Sequence, residues 1–321
     1  MRNFNEVYEK LYAEKNEKLE LLRKQKASKM LMVIIVTIIV AIIGIVTLSS
    51  FGFAVVFLAC VIAIITTVRI SNKYNYTGAF KKEVIETFIK ECDSNLNFYP
   101  ERGISSNIYR QGEFESYDNY YSEDLIEGIL DERYKVEMSE VRTEDESTDS
   151  DGDTTTTTVF HGIFGRVECA KQIPGFIKIH SDKGLLGNLF GKKNKIEMDS
   201  SEFEKHFDVY TLNPIMTMQI LTSDIMEMLI EFKEKSKIKY EITLKGANMY
   251  IRFHTGGVFE PKLFGQSLDF DTLKKYYDII EFIFRVTRAV NKVIAETEIW
   301  DIVFIFERRP LHLAGNSFLK I

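Results

Sequence analysis

Proline and cysteine are scarce in this chain of 321 residues, which has five prolines and three cysteines. Three cysteines that lie far apart in the sequence do not form the disulfide framework of a small secreted protein. The chain also lacks internal repeats and an obvious proline-rich or glycine-rich linker. The sequence therefore excludes disulfide-rich and repeat architectures.

Motifs typical of a catalytic centre are also lacking. The histidines are scattered without the spacing of a zinc site, and the stretches 103–107 and 315–317 lack the second glycine of a nucleophile elbow. His161 has no nucleophile beside it in the sequence, so we interpret it as a strand histidine that pairs locally or faces water; a catalytic role is the alternative. We predict no catalytic residue, no metal ligand and no cofactor, and the sequence leaves open whether the protein is an enzyme.

Basic stripes with interleaved aromatic residues are absent, and the formal net charge is −6. This balance argues against a nucleic-acid partner. Acidic residues are densest just before Thr154, where an EF-hand starting at Asp149 would need glycine at its sixth position and glutamate at its twelfth. Those positions hold Thr154 and Phe160, so we predict a mobile polar loop at about 142–157 rather than a calcium site.

Charges are missing altogether from residues 30–48, where thirteen of nineteen residues are isoleucine, leucine or valine. A helix of this length rises about 28 Å, close to the thickness of a hydrocarbon core. Its aliphatic residues favour the bilayer by roughly 4 to 8 kcal/mol. A second apolar run at about 51–70 follows a turn too short to cross back. We predict a transmembrane hairpin at 30–70; a buried hairpin in a soluble protein is the alternative.

Lysine and arginine flank this hairpin on both sides but are absent from its turn. Because positive charge concentrates on the cytoplasmic side, we expect a multi-pass protein of the cell (plasma) membrane with both termini in the cytoplasm. Residues 1–29 then form a charged cytosolic helix. Residues 71–321 form a cytosolic domain of one lobe or two.

In this cytosolic part, strand patterns come first and helical patterns follow. Alternation predicts strands around 134–141, 158–169, 175–181 and 207–212, and a hairpin that turns through Lys245, Gly246 and Ala247. Spacing of three and four residues predicts helices at 75–95, from Pro214 to about Phe232, and at 271–296. This order favours an α+β fold with a mainly antiparallel sheet and packed helices.

One loop combines apolar and basic residues, and it is the single candidate site that the sequence offers. Its apolar residues are Leu185, Leu186, Leu189 and Phe190, and its basic residues are Lys192, Lys193 and Lys195. On a domain tethered to the inner leaflet, such a loop can enter the membrane interface. The alternative is a connecting loop that packs its leucines onto the domain.

Four blocks of the chain resemble a known family. They are YYSEDLIEGIL…VEMSEV from Tyr120, VFHGIFGRVE from Val159, SSEFEKHFDVYTLNP…ILTSDIMEML from Ser200, and GANMYIRFHTGGVFEP from Gly246. Their order and spacing after a paired-span N-terminus resemble the bacterial membrane proteins grouped as domain of unknown function 3137. The resemblance covers most of the cytosolic part. It implies the architecture, but the family brings no established activity, cofactor or site residue.

Three classes of function stay open. The leading hypothesis is an uncharacterised integral membrane protein that acts as a membrane-anchored cytosolic interaction or scaffold module. Its partners would be the lipid bilayer and either a membrane protein or a second copy of the chain. The alternatives are a membrane-bound enzyme with an unrecognised active site and an accessory subunit of a membrane transport complex. Two spans without a buried charge make a poor transport pathway on their own.

Overall fold

Two long helices open the chain in this computed structural model, which describes residues 1–46, 50–181 and 194–296. Helix α1, Phe4–Val46, is one uninterrupted helix that contains both the charged N-terminal segment and the first apolar run. Helix α2, Ser50–Lys73, contains the second run. Both helices are long and apolar enough to cross a membrane. Most large aliphatic side chains of the two runs are exposed rather than packed against this chain.

The two helices approach each other closely at Gly44. A Cβ atom at this position would lie 2.3 Å from Cγ2 of Val56 and 3.0 Å from the backbone oxygen of Gly52. Any larger residue would force the backbones apart, and small residues at such contacts are typical of helix packing in membranes. Helices α1 and α2 therefore form a helical hairpin.

The chain divides into two compact units. Unit 1 comprises Met1–Arg166 and Arg252–Glu281, and unit 2 comprises Val167–Ile251 and Phe282–Ile321. These boundaries differ from the predicted division near residue 71, because α1 and α2 belong to unit 1. The predicted charged helix at 1–29 is likewise the first part of α1 and not a separate element.

The charged half of α1 contributes to the core of unit 1. Its buried apolar side chains are Phe4, Val7, Leu11 and Leu19. The Phe4 ring lies 5.1 Å from that of Phe270 and 5.4 Å from that of Tyr277, between ring centroids. Around this contact, Lys10 pairs with Glu91 at 2.7 Å and Lys18 pairs with Glu83 at 2.6 Å.

A helical run with a π-helical turn follows the hairpin, where a helix at 75–95 is predicted. It consists of α3 (Tyr76–Phe80), the π-helical turn (Lys81–Ile85) and α4 (Glu86–Cys92). The Asn75 side chain caps α3 by accepting a hydrogen bond from the Gly78 N–H at 3.0 Å. The apolar side chains of this run, Phe80, Val84, Phe88 and Ile89, are all buried.

The antiparallel strands of unit 1 come next. The elements in chain order are β1 (Leu96–Tyr99), α5 (Ser106–Gln111), β2 (Asn119–Leu130), β3 (Tyr134–Thr148) and β4 (Thr154–His180). Strand β2 lies between β1 and β3 and pairs with both in antiparallel register. Strand β3 in turn neighbours β4, which continues into unit 2.

The predicted loop at 142–157 is mostly strand in the structure. Strand β3 reaches Thr148 and β4 starts at Thr154, which leaves only a five-residue connection at 149–153. Within it, the Asp149 N–H donates to the Asp153 oxygen at 3.0 Å. The predicted boundaries are wrong because β-branched threonines favour strands and neighbouring polar groups bind the acidic residues; Asn119, for example, donates to Glu146 at 2.6 Å.

Unit 2 continues the α+β pattern. Its further elements are β5 (Lys195–Ile196), α6 (Ser201–His206), β6 (Asp208–Thr211), α7 (Pro214–Ile220) and α8 (Ser223–Ser236), with most of β7 (Tyr240–Phe253) and the second half of α9 (Phe270–Glu296). Strand β6 pairs antiparallel with β4 and β5, and β7 pairs with β4. The predicted α+β class with an antiparallel sheet is confirmed.

Two local predictions fail in this region. The hairpin predicted at Gly246 is one continuous strand, because that glycine takes a φ of +58° inside β7 without reversing the chain. The helix predicted from Pro214 to Phe232 is two helices, since Leu221 leaves the helical region with a ψ of 66°. The predicted helix at 271–296 is confirmed as part of α9.

Candidate functional site

The π-helical turn of unit 1 begins with a buried lysine, Lys81. Its Nζ lies 2.8 Å from Oδ2 of Asp124 and 2.8 Å from Oε1 of Glu260, with Oε2 of Glu123 at 3.5 Å. Burial disfavours the charged ammonium, but the hydrogen bonds to Asp124 and Glu260 outweigh this effect and raise the pKa of Lys81. Lys81 therefore stays protonated, and π-helical turns occur frequently at functional sites.

Asp124 is fully buried and has an unusual backbone conformation. Its φ is +59°, and the β2–β3 register shifts between Glu123 and Ile126. Burial raises the pKa of the Asp124 carboxyl to about 7, although the hydrogen bond from Lys81 acts in the opposite direction. A non-glycine residue with positive φ and a strand irregularity both carry a structural cost, and both occur preferentially near functional sites.

A second ionisable pair lies on the neighbouring strands β3 and β4. Nε2 of His161 is 2.8 Å from Oε1 of Glu140, and the other oxygen of Glu140 accepts a hydrogen bond from the Val258 N–H at 2.7 Å. Both carboxylate oxygens are therefore held in place. His161 is paired locally, as predicted for a strand histidine, and it lies at the edge of a cavity.

This cavity is an open groove of about 500 Å³. Its lining residues are Tyr121, Ser122, Glu123, Glu140, Arg142 and His161. Glu123 also lines a second groove of about 590 Å³, which extends past Lys81 and Glu260 to Asn75. We call the first of these the acidic groove, because two carboxylates and only one guanidinium are among its lining residues. That guanidinium belongs to Arg142, which lies 4.7 Å from the centroid of the Tyr121 ring.

Nucleophilic catalysis has little support in the acidic groove. The Ser122 hydroxyl donates to the backbone oxygen of Glu140 at 3.0 Å, so its proton points toward that acceptor and not toward the His161 ring. Elsewhere among the described residues, burial raises the pKa of Cys92 and of Cys169 to about 12, which disfavours a reactive thiolate at either position. The pair of His161 and Glu140 thus lacks an activated nucleophile in the part of the chain that the structure describes.

Among the described residues, two groups of side chains with metal-ligating atoms approach closely enough to hold a metal ion. In the first, Glu123, Asp124 and Glu260 already surround the Lys81 ammonium, which supplies the positive charge that a cation would bring. The second, in unit 2, places His206 3.5 Å from exposed Glu202 and 3.6 Å from exposed Glu234. Exposed acidic groups of this kind are common without a metal, so neither group identifies a metal centre.

The membrane-contact site predicted from sequence lies almost entirely outside the described residues. Those outside are Leu185, Leu186, Leu189, Phe190, Lys192 and Lys193. Lys195 is described, and its Nζ lies 2.7 Å from Oδ1 of Asp208 at the edge of unit 2. Contact of this loop with a membrane stays a prediction.

Sequence reasoning missed Lys81 and Asp124. A signal for Lys81 was present, because it stands three and four residues before the buried Val84 and Ile85, on the apolar face of its helix. A charged residue on such a face predicts a buried partner. Nothing local identified that partner as Asp124, since the strand irregularity that turns it inward depends on pairing with distant residues.

Comparison with known proteins gives a single finding. Residues 158–292 match the family model described as "Protein of unknown function (DUF3137)". No curated protein and no solved structure matches the chain. The matched segment contains His161 and Glu260, whereas Lys81, Asp124 and Glu140 precede it. The resemblance seen in the sequence is confirmed over this segment, because residues 158–292 are similar to the DUF3137 family.

Proposed function

We propose that this protein is a membrane-anchored interaction module that presents the acidic groove of unit 1 to a partner at the cytoplasmic face of a membrane. One observation carries the proposal: α1 runs without a break from the core of unit 1 into the first apolar run. A flexible tether would leave a domain free to move. A shared helix instead holds unit 1 at a constant height relative to the bilayer.

The orientation follows from the charges next to the apolar runs. Lys24, Lys26 and Lys29 precede the first run, and Arg69 and Lys73 end the second. The positive-inside rule then places unit 1 in the cytoplasm and the α1–α2 turn on the opposite side.

Cysteine labelling of intact cells tests this topology. A Ser50→Cys variant at the turn should react with a membrane-impermeant maleimide added outside, and a Ser28→Cys variant should react only after permeabilisation. The native chain gives the baseline, because burial raises the pKa of Cys92 and Cys169 to about 12 and Cys60 lies within the apolar part of α2. Labelling of Ser28→Cys in intact cells would contradict the proposed orientation.

The chemistry of the acidic groove favours a cationic group. Glu123 is about half exposed, and the Tyr121 ring is exposed beside it. The position of Arg142 shows how a guanidinium is held here, by cation–π attraction to this ring and by the Glu144 carboxylate, 3.3 Å from its Nε. A lysine or arginine side chain of a protein partner has the same chemistry and fits a groove of about 500 Å³.

Photo-crosslinking in native membranes tests the groove. A benzoylphenylalanine placed at Tyr121 should form an adduct with a partner protein, whereas the same group at Ile129, an equally exposed position on β2, should not. Adding Glu123→Gln should reduce the adduct severalfold, because it removes an exposed charge without disturbing the core. Equal adducts from both positions, or an adduct indifferent to Glu123, would count against the acidic groove as the binding surface.

A membrane-bound enzyme is the second candidate. His161 and Glu140 have the geometry of a general base and the carboxylate that orients it. The interaction module is preferred because the serine hydroxyl in the lining of the same groove, that of Ser122, is engaged with a backbone oxygen. Discovery of a substrate that is turned over by the native chain but not by His161→Ala would reverse this preference.

A further inference from the structure

One loop of unit 1 runs along α1 toward the apolar part of that helix. Tyr8 donates to the Leu268 oxygen at 3.1 Å, Ser267 donates to Asn16 at 3.0 Å, and Arg23 donates to the Leu263 oxygen at 2.9 Å. Falling residue numbers in the loop thus match rising numbers in α1. The loop therefore reaches furthest toward the apolar run near Leu263.

The same part of the loop also lies beside the helical run that follows α2. The Tyr76 hydroxyl is 3.5 Å from the Lys262 oxygen, and Tyr76 is three residues beyond the end of α2 at Lys73. Residues 261–266, which we call the anchor loop, are thus positioned by both helices close to where their apolar runs end. These contacts are independent, since they involve different helices and different loop residues.

The height of the anchor loop relative to the first apolar run can be read from α1. Arg23 precedes Met30, the first residue of that run, by seven residues, which corresponds to about 10 Å of helix rise. The headgroup region of one leaflet is roughly 5 to 8 Å thick. If the runs cross the bilayer, the anchor loop lies at the outer edge of the headgroups.

The anchor loop carries an apolar side chain that unit 1 leaves uncovered. Phe264 is 63% exposed, although its neighbour Leu263 is held by Arg23. The next residue, Gly265, has a φ of +120° and open space around it. Basic residues next to both apolar runs lie at a similar distance from the bilayer. They are Lys24, Lys26 and Lys29 on α1 and Lys73 on α2. Phenylalanine beside lysine and arginine is the composition of segments that bind the membrane interface.

We propose that the anchor loop is an interfacial contact that inserts Phe264 into the headgroup region of the bilayer crossed by α1 and α2. The inference rests on the proposed membrane anchoring and adds a third attachment point to it. Two helices of a hairpin lie nearly in one plane, so they leave unit 1 free to tilt about the hairpin. A contact beside the hairpin restricts that tilt, and it fixes the direction in which unit 1 presents its surfaces.

Tryptophan fluorescence of the full chain in nanodiscs tests this contact. The native tryptophan, Trp300, is first changed by Trp300→Phe, so that each variant has one reporter. The reporters are Phe264→Trp in the anchor loop, Ile39→Trp in the middle of the first apolar run, and Tyr12→Trp. Tyr12 is exposed on the same helix, but it precedes Met30 by eighteen residues, or about 27 Å. Nanodiscs contain phosphatidylcholine and phosphatidylglycerol, with or without bromine on the acyl chains near the headgroup.

The expected result is that brominated lipid quenches Phe264→Trp severalfold more than Tyr12→Trp, with emission at shorter wavelength than Tyr12→Trp. Quenching of Ile39→Trp shows that the apolar run is in the bilayer. If Ile39→Trp is quenched while Phe264→Trp behaves like Tyr12→Trp, the interfacial contact is wrong and the membrane anchor stands. If Ile39→Trp is not quenched, the proposed anchoring fails and the anchor loop contact fails with it.

Discussion

Removal of residues 1–28 should unfold unit 1 rather than release a soluble domain. The deletion takes away Phe4, Val7, Leu11 and Leu19, all of them buried in the core of unit 1. Burial of such side chains stabilises a fold by about 1.5 to 3 kcal/mol each, or roughly 6 to 12 kcal/mol for four. This is comparable to the entire stability of a typical domain, about 5 to 15 kcal/mol. The aromatic partner Tyr277, which is buried in the full chain, would also become exposed.

Hydrogen exchange with mass spectrometry measures this loss, with the full chain and the shortened chain compared in the same detergent. Strands β2 and β3 report on unit 1, and their amides should exchange much faster in the shortened chain. A matched pair of point variants distinguishes the effect of lost core packing from the effect of shortening the chain. Leu11→Ala, at a fully buried position, should destabilise unit 1 by about 2 to 5 kcal/mol. Leu21→Ala, at a position 58% exposed on the same helix, should change stability by less than about 0.5 kcal/mol.

Equal exchange in the full and shortened chains would show that unit 1 folds without α1. The N-terminal half of α1 would then pack on unit 1 without being needed for its folding. That outcome would also remove the main support for a rigid connection between unit 1 and the membrane, because the proposal depends on α1 being shared by both.

The sequence predicted both halves of α1 as helical but not their continuity or their packing. The sequence changes from highly charged to uncharged after Lys29, which suggests a boundary between two elements. No helix-breaking residue lies near this position. The apolar spacing from Phe4 through Leu11 slips at Lys15, so local periodicity could not show that this half is buried. Its burial depends on Phe270 and Tyr277, which come more than 250 residues later. Such contacts leave no local signal.

The strand boundaries failed for a related reason. The high density of acidic residues predicted a loop, because a segment with high net charge and few apolar residues cannot bury enough apolar surface to become ordered. In the structure, distant polar groups bind some of them, as Asn119 does for Glu146. Periodicity alone could place His161 on a strand. Its pairing with Glu140, however, depends on the register of β3 and β4. The acidic groove depends on these two strands and on β2.

Replacing Lys81 with methionine should destabilise unit 1 strongly at pH 8 and much less at pH 5. The variant leaves the fully buried Asp124 carboxylate without its ammonium partner, and breaking a buried pair in this way costs about 3 to 5 kcal/mol. Glu260 and Glu123 also lose a partner, but each is about half exposed and is solvated by water. The cost therefore falls mainly on Asp124.

The pH dependence follows from the direction of the pKa shift at Asp124. Burial already raises its folded-state pKa to about 7, above the unfolded value of about 3.9. Between these values the folded state binds more protons than the unfolded state, so the contribution of Asp124 to stability falls as pH rises through this window. Without Lys81 the pKa rises further, and at pH 5 the carboxyl is neutral and tolerates burial.

Urea denaturation of the full chain in detergent at both pH values, followed through the exchange of β2 and β3, provides the measurement. Lys82→Met is the matched control, because Lys82 is exposed on the next position of the same turn; it should change stability by less than about 0.5 kcal/mol at either pH. The double variant Lys81→Met/Asp124→Asn removes both charges and should recover most of the loss at pH 8, because a neutral amide does not need an ammonium partner. A loss of equal size at pH 5 and pH 8 would mean that Lys81 stabilises unit 1 by the packing of its side chain rather than by its charge, and the raised pKa of Asp124 would then have no part in the stability of the site.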